Sequence, residues 1–200
     1  IASSDDGLWI CDANGTILAV SKMADDVKQV RARARKASEV LLGQLDTDLA
    51  KTPYEVVHQV DRVKLKYYRA AKSGQYKTPL LVVYALINRE TMLDLQPGRS
   101  VVERFLDQGI DLYMIDWGYP TRKDRFQGFD DHVNGYMDDM VEFIRNRTGA
   151  DKVNLMGICM GGAFCVMYSA LHPEKVKNLV TTVTPTNFDT DKGLLHIWMK

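Results

Sequence analysis

The sequence has little of what marks the specialised protein classes. Fourteen glycines and six prolines in 200 residues are too few for a collagenous or low-complexity chain. Cysteine is scarce, and three is an odd number, which argues against a disulfide scaffold and for a reducing compartment. Charge of one sign is missing too. The 26 basic and 26 acidic residues cancel, so no overall field draws the protein to nucleic acid or anionic lipid. The longest apolar run, Leu80 to Ile87, falls far short of the ~20 residues of a membrane span. The chain opens on Ile1 with no apolar signal segment behind it, so the expectation is a cytoplasmic protein whose reading frame begins upstream. What is present is an ordinary globular composition, 46% hydrophobic and 26% charged. At ~150 residues per domain the length allows one domain or a little more.

Two regions emerge along the chain. In residues 1–50, Asn14-Gly15 predicts a hairpin between Leu8–Ile10 and Ile17–Val20. Apolar residues recurring every three or four positions from Val27 to Leu49 then predict an amphipathic helix over 25–49. Its basic stretch, Arg31, Arg33, Arg35 and Lys36, reads as a solvated face. Thr52-Pro53 breaks the helix, and the period changes to two. Val63, Leu65 and Tyr67 alternate with Lys64, Lys66 and Tyr68, with Glu55–Val60 as partner strand. Leu80–Ile87 reads as a strand buried on both faces. A helix over 100–108, a strand over 110–117 and a helix over 130–147 follow, Gly149 closing the last. Beyond them come a strand over 153–156, a helix over 162–171 and a strand over 176–183. Such alternation predicts an α/β fold, a mostly parallel sheet with helices on both faces.

The residues that carry chemistry are Gly157-Ile158-Cys159-Met160-Gly161-Gly162. Set between a strand and a helix, Gly-x-Cys-x-Gly is the frame of a nucleophile elbow with Cys in place of Ser. The nucleophile occupies a strained turn that aims its side chain above the sheet. Strand and helix then pass so closely that Gly157 and Gly161 have no room for a Cβ, and Gly162 eases the helix packing. The helix N-terminus favours thiolate at Cys159, and the Met160 backbone N–H points at a developing oxyanion. A second donor is expected from the loop after the first buried strand. There Asn88 either donates from its backbone and shapes the loop, or simply forms a turn. Cys165, six residues on, reads as core packing, and Cys11 has no assigned role.

The base and its orienting acid are harder to find. An elbow enzyme orders them nucleophile, acid, His along the chain. After Cys159 the histidines are His172, which ends the elbow's own helix and points away, and His196. A Cys159–Asp189–His196 triad is formally possible, but so short a stretch leaves little reach for both partners. His58 and His132 read as surface or packing residues. The expectation is that base and acid are absent from these residues.

Several further stretches resemble one family. Val83–Arg89, Asp94-Leu95-Gln96, Ile115-Asp116-Trp117-Gly118-Tyr119-Pro120, Asn134-Gly135-Tyr136 and Gly157–Phe164 resemble the catalytic subunit of poly(3-hydroxyalkanoate) synthases, as do Tyr168–Val176 and Val183-Thr184-Pro185. The similarity runs from about Thr52 to the end and favours the short, two-component kind through Ile115-Asp116-Trp117-Gly118. The resemblance implies an acyltransferase of the α/β-hydrolase fold, with residues 51–200 as its N-terminal half, cut before the cap and last strands. Cys159 would carry the acyl chain and the family's Asp and His would follow residue 200. The substrate would be an (R)-3-hydroxyacyl coenzyme A thioester, with 3-hydroxybutyryl the expected acyl group, and no metal or further cofactor would be needed. The implied partners are a second synthase subunit, further copies of the chain and the surface of a polymer granule. Met160 stands where the family often has Gln, a tolerable change because the backbone serves the oxyanion. Two other readings stay open: a Cys-elbow hydrolase of the dienelactone hydrolase kind, and an inactive synthase half that acts only as a binding module.

Overall fold

In the first of two units, residues 1–48, strand β1 (Ala2–Ser4) pairs antiparallel with β2 (Gly7–Trp9), Ala2 opposite Trp9. The computed structural model describes residues 2–4, 7–9, 27–35, 49–72 and 76–187. The Asn14-Gly15 turn and Ile17–Val20 lie outside the described residues, so β2 is seen paired with a strand earlier in the chain than the expected one. Residues 27–35 are helical (α1). The expected helix does not reach Leu49. Residues 49 and 50 are irregular, with Ala50 at φ 57° and its N–H donated to the Asp94 carbonyl at 2.7 Å.

The second unit, residues 49–200, is built on a six-stranded sheet. Asp61-Arg62 turns β3 (Glu55–Val60) back onto β4 (Val63–Tyr68), with Asp61 at φ 51°, a left-handed conformation that Asp tolerates. Next come β5 (Leu80–Val83), a short 3₁₀ turn (Glu90–Leu93), α2 (Val101–Asp107) and β6 (Leu112–Asp116). Ser100 caps α2 by accepting the Glu103 N–H at 3.0 Å. The helix α3 opens with a π-helical stretch, Asp131–Met137, continues as α-helix through Asp138–Thr148 and ends on left-handed Gly149. Finally β7 (Val153–Ile158), α4 (Met160–Leu171) and β8 (Val176–Thr182) complete the order.

Across the sheet the strands run β3-β4-β6-β5-β7-β8. The β3, β4 and β6 contacts are antiparallel; β6, β5, β7 and β8 run parallel. Leu80–Ile87 is therefore only half strand. The chain leaves the ladder after Val83, and Ile87 ends 90% exposed.

Alternation along the strands splits the core in two. Leu65, Leu81, Tyr113, Ile115 and Leu155 face α3 and α4, meeting Met140, Ile144, Phe164 and Tyr168. Tyr68, Val82, Leu112 and Met114 face the other way, onto Val102, Phe105 and Leu93. The connection after β5 thus covers one face and the helix after β7 covers the other. Adjacent parallel strands whose connections depart to opposite faces leave a crevice at their carboxyl ends, where α/β folds hold their ligands. That crevice lies between the ends of β5 and β7.

Candidate active site

Cys159 stands at the mouth of this crevice, between the last residue of β7 and the first of α4. Its backbone takes φ 55°, ψ −125°, a region that side-chain-bearing residues rarely enter, and its side chain is exposed. Two hydrogen bonds hold the turn. The Cys159 N–H donates to the Thr182 carbonyl at the end of β8, and its own carbonyl accepts the Gly162 N–H, both at 2.9 Å. The surrounding glycines are fixed by crowding. A Cβ on Gly157 would lie 2.4 Å from the Gly162 Cα, and one on Gly161 would lie 2.2 Å from the Val83 carbonyl oxygen. A Cβ on Gly162 would lie 1.9 Å from the Thr184 hydroxyl. Real atoms do not approach so closely; backbone is the obstacle at Gly157 and Gly161, so the helix can begin this near the sheet only with glycine there, whereas at Gly162 the obstacle is the Thr184 side chain.

Met160 opens α4, so its N–H is among the first-turn groups that find no partner inside a helix, at the positive end of the helix dipole. Asn88 lies on the loop after β5. Its side-chain oxygen accepts the Arg89 N–H at 2.8 Å, the turn-forming role, and leaves its backbone N–H as the group that could face the crevice. The loop is tied to its neighbours. The Tyr84 carbonyl accepts the Trp117 indole N–H at 3.1 Å and lies against Gly161. Arg89 stacks on the Tyr119 ring at 4.6 Å and donates to its hydroxyl at 2.6 Å.

A buried ionic cluster beside this loop escaped the sequence reading. Lys66, in the middle of β4, places its ammonium 2.6 Å from Glu90 and 2.9 Å from Asp116, with all three side chains at most 11% exposed. The Tyr54 ring lies over the same ammonium at 4.8 Å. Burial alone would depress the Lys66 pKa, but hydrogen bonds to Glu90 and Asp116 and their charges outweigh it and raise it. Burial likewise pulls the Asp116 carboxyl upward, and the Lys66 and Gly118 hydrogen bonds more than offset this, holding it below the usual carboxylate range. Further along, the buried Asp94 carboxylate accepts the Thr52 N–H at 3.0 Å and the Thr52 hydroxyl at 2.7 Å. The signal was present in the Lys66 alternation, but a polar residue in that pattern reads as solvent-facing.

The described histidines are all engaged elsewhere. His58 contacts Asp139 at 2.6 Å and stacks on Phe143 at 4.4 Å. His132 is buried against Phe164 and Trp117, with Nδ1 2.7 Å from the Gly128 carbonyl. His172 ends α4 and contacts the Asn134 side-chain oxygen at 2.9 Å. Asp189, Asp191, His196 and Cys11 lie outside the described residues. Cys165 is fully buried, and loss of solvation pushes its thiol up to about 12. Among the described residues, no three His, Cys, Asp or Glu side chains cluster closely enough to hold a metal, and no helix is long and apolar enough to cross a membrane.

The crevice, the strained residue on the β7–α4 turn and the sheet order are those of a large enzyme class. A family model described as the alpha/beta hydrolase fold matches residues 67–200, and the chain belongs to that family. The thioesterase domain of the curacin biosynthetic pathway shares the fold, with a TM-score of 0.54 at 10% identity, covering 75% of this chain and 50% of that one. More particularly, a model of the poly-beta-hydroxybutyrate polymerase (PhaC) N-terminus matches residues 11–105. The chain is 45% identical over 178 residues to the poly(3-hydroxyalkanoate) polymerase subunit PhaC of Haloferax mediterranei, covering 89% of this chain and 35% of that protein. It is 44% identical over 182 residues to the same subunit of Allochromatium vinosum, covering 90% and 51%. The expected fold class and the resemblance to the N-terminal half of this subunit are borne out, and the match begins at residue 11, earlier than the expected Thr52. The chain spans about half or less of the length of these relatives.

Proposed function

We propose that this chain is the nucleophile-bearing half of a poly(3-hydroxyalkanoate) polymerase and that Cys159 carries the growing acyl chain. The observation that carries the reading is the backbone of Cys159. A side-chain-bearing residue held at φ 55° between two glycines, at the carboxyl edge of a parallel sheet, is the geometry expected of a nucleophile elbow. The names of the relatives supply the reaction class.

In this reading the Cys159 thiolate attacks the carbonyl carbon of a 3-hydroxyacyl coenzyme A thioester. The tetrahedral oxyanion is met by the Met160 N–H and by a backbone donor at Asn88. The carbon–sulfur bond to coenzyme A then breaks and its thiolate leaves. One thioester replaces another at little change in free energy, so the acyl group stays activated. The 3-hydroxyl of the next monomer next attacks the Cys159 thioester, forming an ester and releasing the thiol. A base must take the hydroxyl proton, and the three described histidines make contacts of their own elsewhere. Asp189 and His196 lie outside the described residues, and the reading follows the family resemblance in assigning the base and its acid to sequence beyond residue 200. Coenzyme A enters as part of the substrate, and no separate cofactor is invoked. A second synthase subunit, further copies of the chain and the surface of a polymer granule in the cytoplasm are the partners and location that fit this role.

The test is coenzyme A release from (R)-3-hydroxybutyryl coenzyme A, followed by mass mapping of the acylated residue. The 200-residue chain is expected to be acylated slowly, once, at Cys159, without turnover. The chain extended with its own downstream sequence is expected to turn over, and to stop on Cys159→Ala. Hydrolysis with no polymer would favour a Cys-elbow hydrolase instead. Steady turnover by the 200 residues alone, or labelling centred on Cys165, would overturn the assignment.

A further inference from the structure

The oxyanion donor expected at Asn88 sits on an exposed loop, so its use depends on what holds that loop in register with Cys159. Three ties do so. Trp117 grips the Tyr84 carbonyl, Arg89 engages Tyr119, and the buried Lys66 ammonium lies within 3 Å of a carboxylate from each side. Glu90 follows Arg89 directly and opens the 3₁₀ turn, while Asp116 ends β6 and accepts the Gly118 N–H at 3.0 Å. Lys66 thus joins the far end of the loop after β5 to the start of the loop after β6. The first of these loops lays the Val83 and Tyr84 carbonyls against Gly161, in the opening turn of α4.

Stability alone is a poor reason for such a cluster. Removing an ammonium and two carboxylates from water is costly, and apolar residues of similar shape often serve a core as well or better. Directional bonds from one Nζ to carboxylates on two separate segments fix relative position, which apolar packing does less sharply. We propose that Lys66 is a positioning residue of the Cys159 site: by joining Glu90 to Asp116 it holds the loop after β5 over the first turn of α4 and keeps its backbone donor in place for the oxyanion. The proposal rests on Cys159 being the nucleophile.

The experiment compares two reagents on the 200-residue chain. Acylation by (R)-3-hydroxybutyryl coenzyme A passes through an oxyanion, whereas alkylation by iodoacetamide is a direct displacement that forms none. Lys66→Met is expected to slow acylation of Cys159 at least about tenfold, a fraction of the effect of deleting an oxyanion donor outright. Alkylation should stay within about twofold, because the helix dipole and the exposure of the thiol are unchanged. Glu90→Gln, which keeps the shape and a hydrogen-bond acceptor, should show the same split more weakly, and Lys66→Arg should recover part of the loss. Amide exchange should quicken over residues 87–93 and stay slow in β7 and α4. Acylation and alkylation falling together would mean a general loss of structure and would overturn the proposal, as would no change in either. Should the parent chain be alkylated at Cys159 but never acylated, the functional reading fails. The exchange data then judge the clamp by themselves, and unchanged protection over 87–93 overturns it.

Discussion

Strand β7 has two flanks, and they are built differently. On one side stand β5 and β6, the latter buried at all five positions, with helices against both faces. On the other side stands β8, six of whose seven residues are exposed, Val180 at 52%. Cys159 lies between them and draws on both: its opening helix presses on the Val83 carbonyl to one side and on Thr184 to the other. The crowding is equally severe, but the partners differ. Val83 offers backbone held in a buried ladder, whereas Thr184 offers a side chain on a loop beyond an exposed strand. The closed flank therefore sets where the turn must sit, and the open flank adapts to it.

The largest effect should come from breaking the closed flank directly. Met114 is 1% exposed in β6, and Met114→Asp would place an unpaired charge between two layers. A loss of more than about 4 kcal/mol is expected, so that the chain fails to show a cooperative urea transition. Gly161→Ala should follow, at about 3 kcal/mol, because the Val83 carbonyl cannot yield without disturbing β5. Gly162→Ala should cost about 1 kcal/mol if the open flank adapts, and adding Thr184→Gly should recover much of that. Equal losses at the two glycines, read from urea midpoints, would erase the distinction between the flanks.

Acid should act on the closed flank through Asp116. The folded Asp116 carboxyl is held below its ordinary value, so its contribution is fully present above the unfolded pKa, about 3.9. It is lost as pH falls through the depressed folded value, because the unfolded chain then binds the proton more readily. The stability gap between the parent and Asp116→Asn should thus be constant near neutrality and narrow below about pH 4. The smallest change belongs to β8. In the 200-residue chain Val180→Lys should shift stability by no more than about 0.5 kcal/mol. A large loss there would mean that β8 is buried in solution by something the exposed surface does not reveal.

Much of this was legible in the residues, for reasons that differ by element. Gly157, Cys159 and Gly161 located the β7–α4 turn because few backbones need a missing Cβ two residues either side of a side chain. The period-two stretch at Val63–Tyr68 located β4. The same pattern hid Lys66, since alternation says which side of a sheet a residue faces but not whether that side is wet. Two carboxylates distant in sequence make the position dry. The strand at Leu80–Ile87 is shorter than its apolar run for a related reason. Apolar character continues past Val83, but the Tyr84 carbonyl is taken by the Trp117 indole and can no longer serve a neighbouring strand. The π-helical stretch at Asp131–Met137 has the same apolar spacing as an ordinary helix, so periodicity found the helix and not its altered winding.

The backbone of Cys159 has one more consequence, for what selection on this protein must oppose. A side-chain-bearing residue at φ 55°, ψ −125° is held at a cost of order 1–3 kcal/mol, and glycine would be free of most of it. The Cys159 side chain is exposed, so little packing would be lost with it. Cys159→Gly should accordingly raise the urea midpoint while removing the one thiol the proposed chemistry needs. Random drift toward a more stable fold would run through the loss of the nucleophile, and a consensus drawn from stability alone would write glycine at position 159.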